Sequence, residues 1–204
     1  IQADNEILQA FGNTQGSEIS SGLAPRIDKL YKNVAEKMIQ DKKSFDYYLP
    51  ILKFVATQYP EAWLSMATLY EENLELDDRL DKARECVQFF LESAKSIEKK
   101  RKAWRMVATY SRRLEDWLGE AHALVELAQL PNSQLEDISN SANRINALLK
   151  DELELDDEVK TILVKRLLET MEKLTKERPS ATDYSRMAWL AWNIKLVDKA
   201  KEYN

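Results

Sequence analysis

The chain has 204 residues, 44% of them apolar and 32% charged, with only four glycines and five prolines; this is a helical composition and excludes collagen-like, low-complexity and β-rich chains. One His and one Cys exclude most zinc sites, disulfide frameworks and the Ser-His-Asp or Cys-His machinery of common hydrolases, so no enzyme is expected. Thirty Lys and Arg against thirty-five Asp and Glu leave a formal charge of -5, too acidic for bulk nucleic-acid affinity, so any basic site must be local.

In chain order, the opening IQADNEILQAFG has neither the basic start nor the apolar core of a secretion signal, and no run approaches the roughly 18 apolar residues that cross a bilayer. A cytoplasmic setting is expected. A start at Ile1 rather than Met reads as an internal piece of a longer protein. Gly12, Gly16 and Gly22 with Ser17, Ser20 and Ser21 make FGNTQGSEISSG a flexible connection, so residues 1–24 are read as a short helix and linker ahead of a body at 25–204. In the body Ile27, Leu30, Tyr31 and Val34 share a helical face, and Asp46 can cap a second helix that Tyr59-Pro60 closes. The cycle repeats: PEAWLSMATLY with LDKARECVQFFLESA, then RKAWRMVATYSRRL with WLGEAHALVELAQL. Pro131-Asn132-Ser133 punctuates before NSANRINALLK and DEVKTILVKRLLETMEKL, and YSRMAWLAW leads to VDKAKEY. About five hairpins result, at 25–59, 60–98, 99–131, 132–179 and 180–204.

Spacing ties these helices into an array. Trp63 and Trp104 are 41 residues apart, Tyr184 lies 80 beyond Trp104, and LELDD occurs at both 74–78 and 153–157. Self-similarity at a period near forty indicates a helical-repeat architecture. The units resemble the tetratricopeptide repeat: Tyr184, Met187, Ala188, Ala191 and Ala200 fall at that family's spacing, as do Trp104, Val107, Ala108 and Ala121, and Trp63, Met66, Ala67, Tyr70 and Ala83 with a longer turn. The period exceeds the family's 34 residues, Ala67, Ala108 and Ala188 replace its first-helix Gly, and Ala142 stands where an aromatic is expected; HEAT-like units share the longer period. The resemblance implies an all-α, right-handed α-α superhelix whose first helices line a ligand groove.

Counting from the aromatic anchors places Lys102, Arg105, Thr109, Arg112 and Arg113 on that groove, with Leu64 and Glu71 in the unit before and Trp189 and Trp192 in the last. Residues 95–113 carry eight basic side chains against Glu98 alone. They either grip anions or, more blandly, pair with the acidic stretch from Glu71 to Asp81. Trp189 and Trp192 are either core covered by a further unit or partner anchors. Trp117 and Cys86 read as core, and His122 as a surface side chain. DELELDDE at 151–158 lacks the Gly and order of a calcium loop and reads as a turn with Asp156 or Asp157 capping a helix. The family's two-carboxylate clamp needs a Lys and two Asn, but Thr68 and Thr109 occupy the Asn places, so a receptor for acidic chaperone tails is not expected.

The function expected is a non-catalytic protein or peptide interaction module, a recognition or scaffold part of a larger protein. Its partner would present an acidic segment to the arginines, with no cofactor, metal or membrane span. Two alternatives are a ligand-sensing segment of a multidomain signalling NTPase or effector, and nucleic-acid binding through the basic patch, which the acidity of the rest disfavours.

Overall fold

The computed structural model describes Ala56 and residues 60–74, 76–150 and 156–204. The expected N-terminal helix and linker, the hairpin at 25–59 apart from Ala56, and residues 151–155 of the acidic run lie outside the described residues. Eight helices occur among the described residues, and no strand. The chain divides into two compact units, Ile1–Ser93 and Ala94–Asn204.

In the first unit, α1 (Ala62–Glu72) and α2 (Arg79–Ser93) pack against each other. The α1 face is Ala62, Met66, Ala67, Leu69 and Tyr70, and α2 answers with Ala83, Cys86, Val87 and Phe90, all buried. Ala67 and Ala83 are wholly buried; small side chains at such points let helix axes approach closely. Arg79 Nη1 donates to the Glu71 carbonyl at 2.6 Å, tying the start of α2 to the end of α1.

The second unit holds α3 (Ile97–Arg113), α4 (Trp117–Gln129), α5 (Leu135–Lys150), α6 (Asp157–Glu177), α7 (Ala181–Asn193) and α8 (Val197–Glu202). Hydroxyl or carboxylate caps start most of them. Ser96 accepts from Lys99 N, Asp116 from Gly119 N, Asp156 from Glu158 N and Val159 N, and Ser180 from Asp183 N. Each satisfies amide donors that the first turn leaves without an intrahelical partner. The capping role expected at Asp156 or Asp157 thus falls to Asp156.

Each helix packs mainly on near neighbours in sequence. α3 pairs with α4, α4 packs on α5 and α6, and α7 packs on α5, α6 and α8. The core is built from stripes at helical spacing: Ala121, Leu124, Val125 and Ala128 on α4, Leu163, Val164, Leu167, Leu168 and Met171 on α6, and Met187, Leu190 and Ala191 on α7.

The hairpins α3–α4 and α7–α8 share one turn. Glu115 and Lys195, 80 positions apart, adopt φ of 58° and 62°. The next residues bond back identically, Asp116 N to Ser111 O and Leu196 N to Ala191 O, each at 2.9 Å. This is the left-handed closure that ends many helices, and it recurs at the offset that separates Trp104 from Tyr184. Of the small and aliphatic positions carrying the resemblance, Val107, Ala108, Ala121, Met187, Ala191 and Ala200 are buried here. The anchors Trp104 and Tyr184 are only half-buried, as is Trp63 in the first unit, so their expected gap-filling role is only partly met. At Ala142, where an aromatic was expected, a wholly buried alanine brings α5 close to its neighbours.

Candidate functional site

Helix α5 lies between α3 and α7, and polar side chains join the three. From α3, Arg105 donates through Nε (2.9 Å) and Nη2 (2.6 Å) to Asp137 Oδ1, and through Nη2 to Gln134 Oε1 at 3.1 Å. Arg101 lies on the other side of the same carboxylate, its Nε 3.4 Å from Asp137 Oδ2. It also donates to Glu98 at 2.6 Å and to the Asn132 carbonyl at 2.9 Å. Asp137 is buried in the first turn of α5. Towards α7, Arg186 donates to Asn143 (2.7 Å) and Asp183 (2.6 Å), and Asn193 donates to Asn146 at 3.3 Å.

A second carboxylate organises the end of α3. Glu120, wholly buried in the first turn of α4, accepts from Arg112 Nε at 2.6 Å and from Arg144 Nε and Nη2 at 2.9 Å each. The Arg144 guanidinium stands 5.8 Å from the centre of the Trp117 ring, within cation–π range. Trp117, expected in the core, is half-buried under this cation.

The four arginines 101, 105, 112 and 144 therefore meet the carboxylates Glu98, Glu120 and Asp137. Arg101, Arg105 and Arg112 thus pair inside their own unit, and the sequence did not mark Asp137 or Glu120 as their partners. Each of these acids sits in a helix first turn, where an acid is favoured by the helix dipole alone.

Around α3, at about 100° per residue, Lys102, Arg105, Thr109, Arg112 and Arg113 lie within one exposed arc. Thr109 Oγ1 donates to the Arg105 carbonyl at 2.8 Å. The side chains of Arg105 and Arg112 remain 49% and 53% exposed while bonded to buried acids; each is held in place with part of its guanidinium at the surface. The open side of α5 between α3 and α7 offers Glu136, Asn140 and Asn143. On α7, Trp189 and Trp192 are 61% and 58% exposed. Leu64 and Glu71, the other expected groove residues, are half-buried on α1 in the first unit.

His122 is exposed, and Cys86 is buried as a small apolar residue. No group of His, Cys, Asp and Glu able to hold a metal ion occurs among the described residues, and none of their helices is long and apolar enough to cross a membrane. The chain matches no protein-family model, no curated protein and no solved structure.

Proposed function

We propose that the chain is a non-catalytic recognition module, a tetratricopeptide-like superhelix that binds a protein or peptide segment with acidic residues across the open face of α3, α5 and α7. One observation carries this reading: Arg105 and Arg112 are half-exposed yet fixed by buried Asp137 and Glu120. Arginines already ordered lose less side-chain entropy when they meet a partner carboxylate. Arg105 and Arg112 are seven residues apart, about 10 Å along α3, the span of roughly three residues of extended peptide. Partner acids at that spacing would meet both.

The same pairing argues against nucleic acid, because the carboxylates beside the arginines repel phosphate and leave little excess charge for a polyanion. A ligand-sensing role in a larger signalling protein is compatible with the same face and would need an output domain elsewhere in that protein.

Lys102→Glu with Thr109→Glu places two acids on the face without touching a buried pair. Affinity capture with the wild-type chain should recover a nuclease-resistant protein partner that this variant loses, while Lys165→Glu with Lys173→Glu, exposed on α6, retains it. Equal capture by both variants refutes the placement of the face, and capture abolished by nuclease refutes the protein partner.

A further inference from the structure

Trp192 and Val197, 58% and 40% exposed, border an open depression of about 340 Å³ completed by Asn193 and Lys195. Trp189, 61% exposed, lies three residues before Trp192, about 60° away around α7. Two large indoles on one helix face are costly to leave in water, and patches of this kind on monomers are often functional. The backbone beneath is fixed. Lys195 N donates to the Trp192 carbonyl and Leu196 N to the Ala191 carbonyl, each at 2.9 Å, closing the left-handed turn that carries Lys195 at φ 62°.

Size selects the occupant. With about 250 Å² for a whole indole side chain, the exposed parts of the two tryptophans present roughly 300 Å². A stable interface between two copies needs about 800 Å² from each, more than twice what the two indoles present, so they do not make one by themselves. The patch suits one large apolar side chain, in a depression near the lower end of ligand-pocket volumes. Charge selects what lies beside that side chain. Lys195 is exposed at the rim, and Asn193 supplies an amide. A peptide carboxylate next to the apolar anchor would pair with the ammonium at its rim.

We propose that Trp189, Trp192, Lys195 and Val197 form a docking site for a short peptide in which one large aliphatic or aromatic residue has an Asp or Glu within two positions. This rests on the peptide-binding reading above but uses side chains of α7 and the α7–α8 turn rather than the arginines of α3, so either can fail alone.

The test is selection of a displayed twelve-residue peptide library on the full chain, with the enriched sequences resynthesised and titrated by tryptophan fluorescence. The site predicts enrichment of an apolar residue beside an acid. Trp192→Ser should weaken the selected peptides at least tenfold, as expected for a buried aromatic anchor. Lys195→Gly, which suits the positive φ and so preserves the turn, should weaken them several-fold and remove most of their salt dependence. Three results overturn the proposal: enrichment without an acid, selected peptides indifferent to both substitutions, or a concentration-dependent mass in sedimentation that Trp192→Ser abolishes, which makes a second copy the occupant. Peptides weakened by Lys102→Glu with Thr109→Glu, but not by Trp192→Ser, refute this site while upholding the α3 face. The reverse pattern upholds the site, and the α3 face then stands or falls by its own capture test.

Discussion

Glu120→Gln is the substitution that weighs the buried ion pair most directly. The carboxylate is wholly buried and accepts Arg112 Nε at 2.6 Å and two Arg144 nitrogens at 2.9 Å. Charge-assisted hydrogen bonds contribute about 1.5–3 kcal/mol each, and removing one member of a fully buried pair costs about 3–5 kcal/mol. Here the stranded partners can reach water, since the Arg112 and Arg144 side chains are 53% and 29% exposed, so the loss falls short of that range. Glutamine keeps one acceptor oxygen but turns an amide N–H₂ towards two guanidinium groups, which are donors only. We expect a loss of about 2–3 kcal/mol. In urea, with a slope of roughly 2 kcal/mol per molar for a chain of this size, that is a midpoint lower by about 1 M with the slope unchanged. Circular dichroism and fluorescence should both be followed, because two compact units can unfold in separate steps. Pairing with Arg144→Gln completes a double-mutant cycle, whose coupling should exceed about 1 kcal/mol. A change under about 0.5 kcal/mol, or strict additivity with Arg144→Gln, would show that Glu120 does not hold the two arginines.

Gly119→Ala tests the start of α4: an added Cβ would stand 2.4 Å from Asp116 Oδ2, 2.8 Å from Asp116 Cγ and 3.0 Å from the buried Ser111 Oγ. Alanine's helix preference offsets part of the damage, but the Asp116 cap must swing away, for a net loss of about 1 kcal/mol in thermal unfolding; an equal or higher melting temperature refutes the close approach. Burial first, then the hydrogen bond to Glu172, pushes the Tyr203 phenol up to about 12, and burial does the same for Tyr70. The fold favours the neutral phenols, so their contribution is complete below pH 10 and is lost as pH climbs towards 12. Helicity should therefore fall across that window, more shallowly in Tyr203→Phe, and an unchanged slope would sink this account. Glu172 works in the opposite sense. Hydrogen bonds from Lys199 and Tyr203 hold its carboxyl below the ordinary value of 4.5, so its hold on α8 is present above that value and lost as the pH falls through the lowered one.

Helices were the most legible part of the sequence, because each carries its own signal in capping residues and apolar spacing. The segment WLGEAHALVELAQL differs from α4 by one residue, and VDKAKEY from α8 by one. α5 begins at Leu135, earlier than NSANRINALLK indicates, since its first turn is LEDIS, whose Asp137 is buried only because Arg101 and Arg105 of α3 reach it. The 80-residue spacing of Trp104 and Tyr184 was legible in the sequence, and the turn shared by Glu115 and Lys195 recurs at the same offset. Neither residue is a glycine, the usual signal of a left-handed turn, so this conformation could not be read from the sequence. The candidate face was legible as a run of basic residues, but Asp137 was not legible as a partner of Arg101 and Arg105, because an ion pair across 36 or 32 positions leaves no local pattern, and Glu120, eight residues from Arg112, lies on the next helix.

That last point decides how the face can be probed. Charge reversal at Arg105 or Arg112 is the obvious way to test an anion site, yet each guanidinium lies against a carboxylate that is 5% or 0% exposed. A glutamate at either position would set two acids together at the edge of the core, where the repulsion is only weakly screened. The domain would lose stability whether or not a partner exists, and lost binding would carry no information. Lys102 and Thr109 share the exposed arc without sharing the buried acids, and Lys195 sits where glycine is tolerated. Substitutions at these three positions separate recognition from folding, because the side chains that give the face its charge and those that hold its helices together are, at Arg105 and Arg112, the same atoms.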